Sequence, residues 1–171
     1  MNRPIPETST SGKLRILRVI DELADSSICE NLDHFTIDEI AKFCIKLELV
    51  AGDSLISEYD GACFDLYILC AGNVEIVSNH STASSGEVVL SKRDTDLFGE
   101  IGWLHRKNRT ATVRCIGDVE AIRINGDKFM RYLEQRPEVG FQVMRNIAHL
   151  ITERLSQTDS LLKQILWNIN I

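Results

Sequence analysis

The chain has 171 residues, 44% hydrophobic and 26% charged, with a formal net charge of -6. That length carries one domain with a real core plus an appendage, and no apolar run approaches the roughly 18 residues of a membrane span. The acidic balance opposes broad attraction to nucleic acid, and the polar, proline-bearing start lacks the charged-then-apolar order of a signal peptide, so a cytoplasmic protein is expected.

Residues 1–12, MNRPIPETSTSG, are rich in Pro, Ser and Thr and are expected to form a flexible tail. From Lys13 to Ala24, Leu14, Leu17, Val19, Ile20, Leu23 and Ala24 recur mostly at three- and four-residue steps, which predicts an amphipathic helix. Asp33 or Thr36 is placed to cap a second helix through Phe43, so 13–46 reads as an N-terminal helical segment. After Leu47 the texture changes. LELVAGDSLI, DLYILCAGNVEIV, GEVVLSK, RTATVRCIG and DVEAIRINGD are each strand-like and bounded by glycine, which predicts an antiparallel barrel or sandwich over 47–126. NHSTASSG, 79–86, reads as a hairpin loop.

From Asp127 the helical pattern returns, with Pro137 suited to a first helical turn. Met144, Ala148, Ile151, Leu155, Thr158, Leu162 and Ile165 then form a heptad seam, with Ile147, Leu150 and Leu161 as a second stripe beside it. One face is expected to pack on the barrel and the other on a second copy of the chain; the alternative is a helix packed wholly on its own domain. Five scattered cysteines without a C-x-x-C pair read as buried thiols, and four histidines without zinc spacing predict no metal.

Residues 98–113 carry the most specific signal. Phe98, Gly99, Glu100, Ile101 and Gly102, then Arg109, Thr110, Ala111, Thr112 and Val113, resemble the phosphate-binding cassette of the cyclic nucleotide-binding domain family, F-G-E-[LI]-[AG]-[LI] followed by R-[AST]-A-[TSA]-V. A weaker resemblance runs from about residue 28 to 155. It departs at Thr95, where a glycine is usual, at Trp103, where a smaller aliphatic is usual, and at Asn108, where proline often stands. The resemblance implies an α+β fold, an antiparallel β-roll or jelly-roll barrel flanked by N-terminal helices and a long C-terminal helix, with a hinge and that helix over 127–171. It also implies a ligand, cyclic AMP or cyclic GMP, and no separate cofactor.

The residue types fit that chemistry. A planar guanidinium meets a cyclic phosphate with two parallel charge-assisted bonds, which assigns Arg109 the phosphate. Backbone N–H groups at 99–101 and at Thr110 and Ala111 add donors, Glu100 accepts the ribose 2′-hydroxyl, and Gly99, Gly102 and Ala111 let the backbone approach. The expected ligand-binding set is therefore Phe98, Gly99, Glu100, Ile101, Gly102, Arg109, Thr110 and Ala111. The base cap is sought on the last helix, with Arg154 and Thr158 as unranked candidates.

The expected function is a stand-alone cyclic nucleotide sensor that signals by movement of its C-terminal helices. It is not an enzyme: no catalytic dyad or triad stands out. Its expected partners are the nucleotide, a second copy through the C-terminal helix, and a downstream protein of unknown identity. Neither DNA nor membrane is an expected partner, since no helix-turn-helix follows the long helix. The alternative is a degenerate domain that kept the fold as a ligand-independent interaction module, a reading that a bulky Trp103 plugging the hollow would favour.

Overall fold

Eight antiparallel strands form two four-stranded sheets among the described residues of the computed structural model, which are 19–59, 61, 63–78, 87–92 and 97–169. The strands are β1 (Cys44–Leu49), β2 (Ser54–Ile56), β3 (Leu66–Ala71), β4 (Val74–Ser78), β5 (Glu87–Lys92), β6 (Leu97–Phe98), β7 (Thr112–Cys115) and β8 (Val119–Ile124). One sheet has the order β1-β8-β3-β6 and the other β2-β7-β4-β5. The fold is thus an antiparallel β-roll with flanking helices, α+β as expected.

Two of the predicted strand segments are each cut in two. Gly52 (φ 92°) and Gly72 (φ 97°) adopt the left-handed backbone that glycine tolerates, so LELVAGDSLI supplies β1 to one sheet and β2 to the other, and DLYILCAGNVEIV supplies β3 and β4. RTATVRCIG becomes strand only from Thr112, because Arg109 to Ala111 form the bend of the cassette. The two-residue β6 is too short to leave a period in the sequence.

β3 explains its own apolar run. Tyr67 and Leu69 point between the sheets, with Leu55, Val74, Phe98, Val113 and Ala121. Leu66 and Ile68 point the other way, into a second core shared with the helices. Both faces are covered, so LYIL carries no charged residue.

The helices are α1 (residues 19–24), a 3-10 turn at Ser27–Cys29, α2 (His34–Ala41), α3 (Glu100–His105), α4 (Gly126–Glu134) and α5 (Pro137–Ile169). Asp33 caps α2 by accepting from the Thr36 amide at 2.8 Å, the first of the two cap candidates. Val19, Leu23, Ile37, Ile40, Phe129, Leu133, Val143 and Ile147 join Leu66, Ile68, Ile122 and Ile124 in the helical core. Buried Asn146 ties α5 to the 3-10 turn, its amide donating to the carbonyls of Ile28 (3.1 Å) and Glu30 (2.8 Å).

α5 divides along its length rather than around its circumference. Val143 and Ile147 are buried, whereas 155–168 are all exposed, Leu161 of the second stripe included. A helix of 33 residues is about 50 Å long at 1.5 Å per residue, longer than the body can cover. The expected flexible tail at 1–12 and hairpin loop at 79–86 lie outside the described residues, as does the first half, 13–18, of the helix predicted over Lys13–Ala24.

Candidate functional site

Between β6 and β7 the chain makes one short helix and returns. Phe98 ends β6, paired with Tyr67 of β3. Gly99 follows at φ 90° and ψ 0°, and its carbonyl accepts from the Trp103 amide at 3.0 Å to open α3. Arg106, itself left-handed at φ 53°, ends α3. The chain then doubles back through Lys107 and Asn108 to Arg109.

Arg109 is only 7% exposed. Its Nη1 donates to the Gly99 carbonyl at 3.0 Å and its Nη2 to the Asp65 carbonyl at 2.6 Å. These bonds engage two of the five N–H donors of a guanidinium and fix its plane. The glycines of the cassette follow from that placement. A Cβ on Gly99 would stand 2.7 Å from both Arg109 Nη1 and the Asp65 carbonyl, and one on Gly102 would stand 3.2 Å from the same Nη1.

Glu100, in the first turn of α3, is also 7% exposed. Its Oε1 accepts from Nη1 of Arg154 on α5 at 2.8 Å, and Arg154 Nη2 donates to the Leu97 carbonyl at 2.5 Å. The Arg154 guanidinium carbon lies 5.7 Å from the centre of the Phe98 ring. Among the described residues, two guanidinium groups and one carboxylate therefore face one hollow.

The hollow is a cavity of about 240 Å³. All eight residues of the expected ligand set line it, joined by Arg154 and by Ile56, Ile76 and Val113 as an apolar wall. Arg154 was one of two unranked candidates on the last helix, and the structure puts it in the cavity; Thr158 instead donates to the Arg154 carbonyl within α5 and is exposed. Ile56 and Ile76 carried no signal in sequence, because they reach the site only through the pairing of β2 and β4 with β7. Nearby Tyr67 has its phenol pushed up to about 12, chiefly by burial and then by the negative charges of Cys63 and Asp65, against the opposing pull of Arg109 and Arg123.

Trp103 does not plug the hollow. It is fully buried on the opposite side of α3, in the helical core, stacked on Phe129 at 5.6 Å between ring centres. Thr95 lies outside the described residues.

Comparison with known proteins agrees with this architecture. The profile of the cyclic nucleotide-binding domain matches residues 46–136, more than half of the chain, and the protein belongs to that family. A CRP-like cAMP-activated global transcriptional regulator of Mycobacterium tuberculosis is 24% identical over 146 residues, covering 85% of this chain and 62% of the relative. The chain thus spans less than two thirds of that curated relative. Among solved structures, a cyclic nucleotide-binding domain from Methylobacillus flagellatus superposes with a TM-score of 0.73 at 13% identity, covering 87% of this chain and 83% of the other. The regulatory domain of Toxoplasma gondii PKA with cAMP gives 0.67 at 16% identity, covering 86% and 52%. At such identities these likenesses speak for the fold. No helix among the described residues is long and apolar enough to cross a membrane.

Proposed function

We propose that the protein is a cytoplasmic sensor that binds cyclic AMP or cyclic GMP in the cavity between the cassette and α5, and that it signals through its C-terminal helices. The observation that carries the reading is the placement of Arg109: a buried residue whose guanidinium is held by two carbonyls at the wall of a hollow that also holds a buried glutamate, Glu100. A monoanionic cyclic phosphate would take the remaining Arg109 donors together with backbone N–H groups of the cassette. Glu100 has a second carboxylate oxygen beyond the one bonded to Arg154 and would accept the ribose 2′-hydroxyl. Ile56, Ile76 and Val113 offer the base an apolar wall. Binding of a ligand, rather than turnover of one, is the activity proposed.

The test is calorimetry with cyclic AMP and cyclic GMP on the wild type and Arg109→Ala. Losing an ionic partner to a desolvated phosphate costs about 2 to 5 kcal/mol, a weakening of roughly 30- to 5,000-fold. Equal affinity in the two proteins would reject the role given to Arg109. The 2′-deoxy analogue tests Glu100 in the same way: binding as tight as that of the parent nucleotide would remove Glu100 from the site.

The second reading, a ligand-independent interaction module, is favoured by one contact. The Arg154 bond satisfies Glu100 from within the chain. Absence of saturable binding of either nucleotide to the wild type would select it. Under both readings α5 supplies a homodimer, its outer half leaving Leu155, Leu162 and Ile165 more than half exposed along the heptad seam. Light scattering should then give twice the 19.3 kDa chain mass, and a monomer at high concentration would end this part of the proposal.

A further inference from the structure

Thr110 follows Arg109 directly, and the fold gives its hydroxyl no structural task. It lines the cavity, yet it is exposed, in the bend that leads into β7. Among the described residues no hydrogen bond engages its hydroxyl. Thr112, two residues on, is the contrast: it is half-buried, and its hydroxyl accepts from the Glu58 amide at 3.2 Å, which ties β7 to the turn after β2.

The approach to Thr110 is open and positively charged. Three of the four residues before it, Arg106, Lys107 and Arg109, are basic, in a chain whose net charge is -6. Residues 104–108 are all exposed, and 107–111 belong to neither helix nor strand. Asn108, where proline often stands in the family, leaves this stretch without the fixed φ of a proline ring. An exposed hydroxyl at the end of an irregular basic segment is the form of substrate that a protein kinase with an acidic groove accepts.

We propose that Thr110 is a phosphorylation site whose phosphoester takes the free Arg109 donors and so shuts the cyclic nucleotide out of the cavity. The phosphoryl group passes from the γ position of ATP to Thr110 Oγ1. The bond from the γ phosphorus to its bridging oxygen breaks, ADP leaves, and the hydroxyl proton goes to the base of the kinase. The cavity of about 240 Å³ has room for the added group. Two Arg109 donors are held by the Gly99 and Asp65 carbonyls, and the others are left for phosphate oxygens. Glu100 is the carboxylate facing the same hollow, and its charge is met by Arg154 at 2.8 Å.

Charge and tethering both favour the phosphoester over a free nucleotide. It carries about -1.5 to -2 at neutral pH, against one negative charge on a cyclic phosphate. Held one residue from Arg109, it competes at an effective concentration of about millimolar or more. The two anions therefore exclude one another, and by linkage a bound nucleotide opposes phosphorylation as strongly as phosphorylation opposes the nucleotide. The proposal rests on the reading of Arg109 as the anion-binding group and adds a covalent control of that group.

The test begins with the full chain, ATP and basophilic serine/threonine kinases. Mass spectrometry of the digested product should place a phosphate on Thr110 that is missing from Thr110→Val, and saturating cyclic AMP should slow its appearance at least fivefold. A chain left unmodified at Thr110 would overturn the proposal. Calorimetry then compares cyclic AMP binding to the unmodified and phosphorylated chains. Affinity should fall by at least about 100-fold on phosphorylation, and equal affinity would overturn the proposal while leaving the nucleotide site standing.

A third arm needs no nucleotide. The second ionisation of an unperturbed phosphothreonine lies at about pH 6; beside the Arg109 cation, which favours the dianion, the ³¹P signal of the phosphorylated chain should titrate at about pH 5 or below. The midpoint should return to about 6 in Arg109→Ala, or in Arg109→Gln if the alanine variant fails to fold. A midpoint indifferent to Arg109 would show that the phosphoester does not reach the guanidinium. If the unmodified chain binds no cyclic nucleotide, the proposed function fails, and the ³¹P titration still decides whether Thr110 and Arg109 form this contact.

Discussion

The contact of Arg154 with the cassette makes a prediction whose size follows from the shape of the site. Arg154→Ala removes a 2.8 Å bond to the Glu100 carboxylate, a 2.5 Å bond to the Leu97 carbonyl and a cation 5.7 Å from the Phe98 ring. Breaking a fully buried ion pair costs about 3 to 5 kcal/mol because a charge is left without solvent. An exposed pair is worth about 0 to 1 kcal/mol. Here the Arg154 side chain is 24% exposed and that of Glu100 9%, so burial alone points toward the upper range. The cavity changes the answer. Its 240 Å³ has room for several waters at about 30 Å³ each, so Glu100 and the Leu97 carbonyl would be hydrated once Arg154 is gone. The expected loss is therefore about 1 to 2 kcal/mol, or roughly 3 to 6 °C in Tm for a chain of this length. The assay is thermal unfolding of the ligand-free protein by circular dichroism, with Arg154→Lys, which restores a charge without the fork, expected to recover about half. A Tm unchanged within 1 °C would show that the pair does not hold α5. A loss beyond about 4 kcal/mol would refute the hydration step, and with it the claim that the hollow admits solvent.

Two further outcomes follow. Gly99→Ala places a Cβ on a backbone at φ 90° and 2.7 Å from Arg109 Nη1, so about 1 to 3 kcal/mol of strain should appear in urea unfolding and nucleotide affinity should fall more than tenfold; a variant within 0.5 kcal/mol of wild type would contradict the geometry. Burial raises the Cys29 thiol from 9.0 to about 11, so the unfolded chain ionises first: the stability due to the neutral buried thiol is complete below pH 9 and is lost between pH 9 and pH 11, about 3 kcal/mol in all. Urea midpoints across that range should fall in the wild type and fall less in Cys29→Ala, and equal slopes would show that Cys29 is not the group responsible.

How much of this was legible beforehand depends on chain distance. The cassette is nearly self-contained: Gly99, Glu100, Gly102 and Arg109 stand within eleven residues, and the spacing itself brings them to one hollow. Glycines 99 and 102 could be read because their reason, the close approach of a guanidinium, is local. Asp65 could not, because what it offers Arg109 is a backbone carbonyl, which any residue carries, from 44 positions away. Trp103 read as a threat to the pocket because the turn of α3 that sends it to Gly126 depends on where Gly99 starts the helix. The strands were visible as apolar runs between glycines, but their assignment to one sheet or the other was not. Gly52 and Gly72 look alike in sequence whether they end a strand or send the chain from one sheet to the other.

The long helix shows what period alone leaves out. The heptad seam of α5 is even along its length, and a seam of that kind describes how a helix packs around its circumference, not where along the axis its neighbour stops. In the structure the body stops at Arg154: among the described residues after it, 155–168 are all exposed, and it is the last side chain of α5 that is not. That residue is also the one that bonds Glu100 inside the cavity. The cavity therefore lies at the point where the helix leaves the body, and under the proposed function a nucleotide competing for Glu100 would act on the final anchor of α5 without having to loosen the core at Val143 and Ile147 behind it. Fourteen exposed residues, with the apolar seam running through them, extend beyond that anchor.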